Sequence, residues 1–173
     1  MADPAPPEVW LRGLAVPDVA PLLQPVAHAL LQAVEDVRRA AGPLSVAHLW
    51  TRPGGAPSVG FHVRHAAGSL DRLFTYARGE GLSAEQRAFL ENEAEPGLPP
   101  AGAASLVLNF ERQVEQALAQ LRATPESALL EPRGVGRLQL PSTVVGLLIH
   151  AAEHTQRHVG QIVTTVKIVQ GQN

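Results

Sequence analysis

A chain of 173 residues, 45% of them hydrophobic, is long enough for one domain that buries about 70% of its unfolded surface without staples. It contains no cysteine, which excludes disulfides, thiolate metal sites and a cysteine nucleophile, and suits a reducing compartment. Net charge is −2, with 14 basic and 16 acidic residues and only two Trp, one Tyr and four Phe, so nucleic acid would meet neither a basic stripe nor a stacking platform.

The N-terminus, Met1 to Pro7, lacks the charged start and apolar core of a signal peptide, and none is expected. The longest apolar stretch, around Val144 to Ile149, falls far short of the about 20 residues that a membrane span needs. A cytoplasmic location is therefore expected. Residues 1–16 are proline-rich and expected to be irregular, with residues 17–173 forming a single helical domain.

Asp18 is a candidate N-cap for a first helix, in which Val19, Leu23, Val26, Leu30, Val34 and Val37 recur at helical spacing. Pro25 sits uncomfortably deep in it, so the helix starts late or kinks there. Gly42-Pro43 ends it, and residues 43–57 read as a loop with a turn at Pro53-Gly54-Gly55. Ser58 then caps a second helix running to about Arg78, with Gly79 just past its end. Val59, His62, Ala66, Leu70, Leu73 and Ala77 form its buried stripe, and His65, Ser69, Arg72 and Tyr76 the neighbouring one.

Residues 79–100 are polar and carry prolines, with a short helix over Ser83 to Glu91. A third long helix covers about Ala103 to Arg122, with Leu106, Phe110, Val114, Ala117 and Leu121 on its inner face. Residues 125–141 read as a linker with a brief alternating piece, Leu138-Gln139-Leu140. Pro141-Ser142-Thr143 opens the last helix, which runs to about Val169. Four long amphipathic helices predict an all-α fold, a four-helix bundle. The connections are too long for a minimal up-and-down arrangement, so at least one crossover is expected.

Five of the seven histidines fall in two clusters, His62 with His65 and His150 with His154 and His158. Residues four apart stack on one helix face with Cβ atoms about 5–6 Å apart, so two imidazoles so spaced can share one metal. His154 and His158 lie among Leu147, Ala151, Ile162 and Val166, the expected core face. Burying them unpaired would cost about 1–3 kcal/mol per polar group, and a metal would satisfy them. Thr155 follows His154 where a zincin motif needs Glu, which disfavours a metalloprotease. No Glu has a His three residues later, which excludes the di-iron carboxylate pattern. Glu153 is about 100° round the helix from His154 and a poor third ligand. The third ligand is best drawn from the second helix, from His62 or His65.

The segment from Ser58 to Leu73, taken with His154-Thr155-Gln156-Arg157-His158-Val159-Gly160-Gln161-Ile162, resembles the DinB/YfiT-like superfamily of metal-binding four-helix bundles. Order and spacing match over nearly the whole chain. The resemblance implies one histidine from the second helix and a His-x-x-x-His followed by Gly-Gln on the last. The family's helix-two ligand precedes a small-residue step and a serine, as His65 does, so the implied triad is His65, His154 and His158. His62, His150 and Gln161 are then candidates for lining the pocket or orienting a ligand ring. Arg64, Arg72 and Arg157 could hold an anionic substrate, although exposed arginine is the default, and Tyr76 could supply a hydroxyl. Gly160 reads as a close-packing position. His28 and His48 are expected at the surface or core edge.

Three neutral histidines leave one metal position open, the arrangement of a catalytic site. The metal expected is divalent, zinc or nickel first. Characterised relatives imply thiol-dependent S-transferases and isomerases that use a low-molecular-weight thiol. The function expected is a metal-dependent thiol S-transferase or detoxification enzyme, acting on a small molecule, with homodimerisation implied by the resemblance. The alternatives are a metal-dependent hydrolase and a non-enzymatic, metal-stabilised stress-response or binding module.

Overall fold

The structure is a computed structural model that describes residues 6–13 and 15–171. The expectations for Met1 to Ala5 therefore lie outside the described residues. Between residues 6 and 16 the chain makes one 3-10 turn, Val9–Arg12. It is tied down where Arg12 forms a two-pronged ion pair with Glu35, at 2.7 Å on both arms.

The first long helix, α1, spans Gln24–Ala41. Asp18 does not cap it: its φ of 61° places it in a left-handed turn well before the start. The Gln24 amide organises that turn instead, accepting from Val16 N at 2.8 Å and donating to Val16 O at 2.9 Å and Val19 O at 2.8 Å. Because α1 begins at Gln24, Pro25 falls in the first turn, where a missing N–H removes no helical bond.

The stretch expected as a loop contains a short helix, α2, Val46–Trp50, capped by the Ser45 hydroxyl. Its Leu49 is buried, and Trp50 Nε1 donates to Ala101 O at 2.8 Å. Helix α3 spans Val59–Ala77, with Ser58 accepting from Phe61 N at its start and Gly79, at φ 80°, just beyond its end. Helix α4, Ala84–Asn92, opens on a reciprocal capping pair between Ser83 and Gln86. Helix α5 spans Ala103–Ala123 and buries the five inner-face residues expected of it.

The stretch expected as a linker folds into an antiparallel hairpin, β1 Pro132–Val135 with β2 Leu140–Thr143, in which Pro132 pairs with Thr143 and Val135 with Leu140. Pro141-Ser142-Thr143 therefore belongs to a strand. Helix α6, Val144–Gly171, begins directly after it, with Thr143 Oγ1 accepting from Gly146 N at 3.1 Å. At about 1.5 Å per residue its 28 residues span about 42 Å.

The described residues are thus mostly helical, with one two-stranded sheet. Helix α3 packs on α5 and α6, and α1 packs on the same two. The core between them is filled by Leu23, Leu30, Leu70, Phe110, Leu121, Leu148 and Ile162, all fully buried. Among the described residues no helix is long and apolar enough to cross a membrane.

Candidate metal centre

The site lies where the N-terminal half of α3 meets the middle of α6. Gly60 lets Trp50 of α2 lie flat on α3, because a Cβ there would sit 2.8 Å from three ring atoms. One turn further on, α3 turns His62 and His65 towards α6. On α6 the core line runs through Ala151, the fully buried Thr155 and Ile162. His154 and His158 flank that line and are half-buried, so they stand at the core edge and not on the core face as expected. This edge position leaves the imidazoles accessible from outside.

His65, His154 and His158 each offer a ring nitrogen, and the three lie within 4.8 Å of one another. His65 Nε2 is 3.0 Å from His154 Nε2. The ring centres of His65 and His158 are 4.5 Å apart, and those of His154 and His158 are 4.7 Å apart. Phe61 stacks on His65, ring centres 5.4 Å apart, and closes one side.

Two of the rings are held from behind. His65 Nδ1 donates to Glu93 Oε1, and Glu93 Oε2 lies 3.3 Å from the Arg72 guanidinium. Glu93 is 5% exposed and Arg72 8%. Gly68 makes room for Arg72 and Phe89, since a Cβ there would meet Arg72 at 2.8 Å and the Phe89 ring at 2.6 Å. The His158 Nδ1 is 3.0 Å from Nδ1 of His62, which is itself buried at 6% exposure. One of that pair donates and the other accepts. Where His158 Nδ1 is the donor of that pair, its Nε2 lone pair is left for a metal.

Electrostatics favour the neutral form of His158, His62 and His154. Burial, followed by repulsion from His65, His154 and His62, pushes the His158 imidazole down to about 3. Burial and the neighbouring His65 also lower His62 and His154. Burial alone would raise Glu93, but its bonds to His65 and Arg72 outweigh that and hold it below the usual carboxylate value, so it is ionised at neutral pH.

The other sequence candidates are placed differently. His150 is exposed, with Nδ1 3.3 Å from Glu153 and its ring 5.7 Å from that of His154. Gln161 is exposed and, among the described residues, makes no hydrogen bond to an imidazole; His62 occupies the position beside His158 for which Gln161 was a candidate. Gly160 is not a packing glycine, for a Cβ there would meet nothing within 4 Å. Arg72 is committed to Glu93. Arg157 pairs with Glu153, and Arg64 donates to Glu95 O while lying over the Phe89 ring. Tyr76 packs against the core near the far end of α3. His28 and His48 are half-buried and are not part of the three-histidine group.

Glu93 is the residue that the sequence reading missed. It stands just past the end of α4, in a polar stretch with Glu91 and Glu95, and no periodicity distinguishes it from them. Only the docking of α4 on α3 brings it to His65.

The donor set fits a divalent metal. A tetrahedral ion with bonds of about 2.0–2.1 Å holds its nitrogens about 3.3 Å apart, and here one pair is 3.0 Å apart and all three lie within 4.8 Å of one another. Borderline nitrogen donors suit zinc, nickel or copper over calcium or magnesium.

The model of the DinB superfamily matches residues 11–162. A solved structure described as a conserved protein from Enterococcus faecalis superposes with a TM-score of 0.69 at 21% identity, covering 86% of this chain and 97% of that one, a likeness of fold. Comparison with curated proteins finds no match. A helical fold that gathers His65, His154 and His158 from α3 and α6, and a family model spanning residues 11–162, agree: the chain belongs to the DinB superfamily.

Proposed function

We propose that the protein is a metal-dependent thiol S-transferase of detoxification type, with zinc or nickel held by His65, His154 and His158. The observation that carries this reading is the three-imidazole cluster, with two of its rings braced from behind and no fourth protein ligand among the described residues. A divalent ion bound there supplies Lewis acidity to a thiol or water at its open position, lowering the pKa of that group towards neutrality.

The chain's own residues favour a thiol over water. Hydrolysis calls for a general base within reach of the nucleophile. The carboxylate nearest the triad, Glu93, has one oxygen on His65 and the other on Arg72, so it does not serve as that base. A thiol needs only to lose its proton and meet an electrophile. The half-buried edge position of His154 and His158 gives both partners access from solvent. We read the four long helices α1, α3, α5 and α6 as a four-helix bundle. The packing of α1 and α3 each against α5 and α6 supports crossovers, since α1 and α3, and likewise α5 and α6, follow one another among the long helices yet are then diagonal.

The test is to incubate metal-loaded protein with glutathione, bacillithiol or mycothiol and a generic electrophile. Metal-dependent acceleration is expected with one of these thiols. Metal-dependent turnover without any thiol would favour hydrolysis and overturn the transferase reading. Elemental analysis of the wild type beside His158→Ala tests the triad: equal metal content in both would remove it.

A further inference from the structure

Among the described residues, Glu93 and Arg72 are the only buried side chains of the Asp, Glu, Lys and Arg types. A buried carboxylate held by a buried guanidinium persists as an anion that can only accept hydrogen bonds. Its Oε1 is spent on the ring nitrogen of His65 that faces away from the triad. The contact is not an accident of one side chain, because the whole segment carrying Glu93 is pinned to α3. Gln86 Nε2 donates to Asp71 Oδ2 and Thr75 Oγ1, both at 2.8 Å. Phe89 fills the space over Gly68, and Arg64 reaches the backbone of Glu95 on the other side. Helix α4 itself buries no residue, so these links are what seat it.

We propose that Glu93 is a positioning residue of the metal centre: it holds the His65 proton on Nδ1, which leaves the Nε2 lone pair facing His154 and His158, while Arg72 keeps Glu93 in place. The assignment rests on the metal-binding reading above. An acceptor behind a ligating imidazole fixes its tautomer and raises its basicity, and removing such a partner typically weakens metal affinity by about 10–100-fold. The alternative is that the pair only anchors α4, in which case its loss would lower stability and leave the His65 ring unchanged.

Two readouts on full-length protein separate these. Zinc affinity is measured by competition with a chromophoric chelator, and the His65 tautomer by ring 15N shifts of metal-free protein at pH 8. Glu93→Ala leaves Arg72 buried and unpaired and could misfold, so the double variant Arg72→Met/Glu93→Leu, which removes both charges together, is made beside it. The wild type is expected to show Nδ1–H and bare Nε2 on His65. The folded variants are expected to bind zinc about 10–100-fold more weakly with a mixed His65 tautomer. Glu93→Gln, which keeps an acceptor, is expected to recover part of the loss. Wild-type zinc affinity and an unchanged His65 tautomer in the double variant would overturn the proposal. If the wild type binds no zinc, the metal reading fails, and the metal-free tautomer still decides whether Glu93 orients His65.

Discussion

Two glycines on helices of this protein, Gly60 of α3 and Gly160 of α6, should respond to the same substitution with opposite signs. Alanine is favoured over glycine inside a helix by about 0.8–1.0 kcal/mol. At Gly160 an added methyl meets nothing within 4 Å, so Gly160→Ala should stabilise by up to about 1 kcal/mol. At Gly60 the methyl would lie 2.8 Å from three atoms of the Trp50 ring. That ring cannot swing aside freely, because Nε1 is bonded to Ala101 O at 2.8 Å. Overpacking costs about 1–3 kcal/mol and loss of the indole bond about 0.5–1.5 kcal/mol. Against the helix gain, Gly60→Ala should lose about 1–3 kcal/mol net. For a chain of this size that lowers Tm by about 2–12 °C. Urea unfolding of the two metal-free variants beside the wild type, analysed by midpoint and slope, measures both signs. Gly60→Ala as stable as Gly160→Ala would refute the seating of Trp50 on α3, and with it the account of how α2 packs beside the site.

Further outcomes follow from the site's electrostatics and contacts. Metal-free protein should lose stability on acidification from pH 7.5 to pH 5, measured by urea midpoints. His158, His62 and His154 are held below the ordinary 6.5, so below that pH the unfolded chain takes up protons that the fold refuses. The limiting slope is about 1.4 kcal/mol per pH unit and group, which partial exposure and shared repulsion reduce to about 1–2 kcal/mol in total by pH 5. For His158 the penalty should keep growing down to about pH 3. The stabilising contribution of Glu93 is present above 4.5 and lost only below it, so a flat profile between pH 7.5 and 5 would contradict the buried neutral imidazoles. In zinc titrations Gln161→Ala should match the wild type, while His62→Ala should weaken binding by about tenfold, through loss of the ring behind His158. Equal effects of these two would contradict the placement of His62.

Much of the fold could be read from local patterns, because helix periodicity and caps are properties of neighbouring residues. Ser58 and Gly79 bracket α3 where the spacing put them, and the inner face of α5 is buried residue for residue. The errors fall where a distant contact outweighs the local signal. Asp18 has the chemistry of a cap, but the Gln24 side chain takes over the backbone groups of that turn. Residues 125–141 look like a linker until two short strands, 132–135 and 140–143, pair with each other, which single-strand patterning of four residues cannot show.

The sequence by itself determined the helical class, the absence of thiol chemistry from the chain's own side chains, and the stacking of His154 over His158, since residues four apart must share a face. A resemblance in short motifs pointed to His65. Only the tertiary structure decided what surrounds the three rings. It set His154 and His158 at the core edge, turned His150 to solvent, put His62 behind His158 and brought Glu93 to His65 across 28 positions of sequence. Those partners come from different helices or from beyond a helix end. Their meeting depends on how α3, α4 and α6 pack, which no repeat within any one of them encodes.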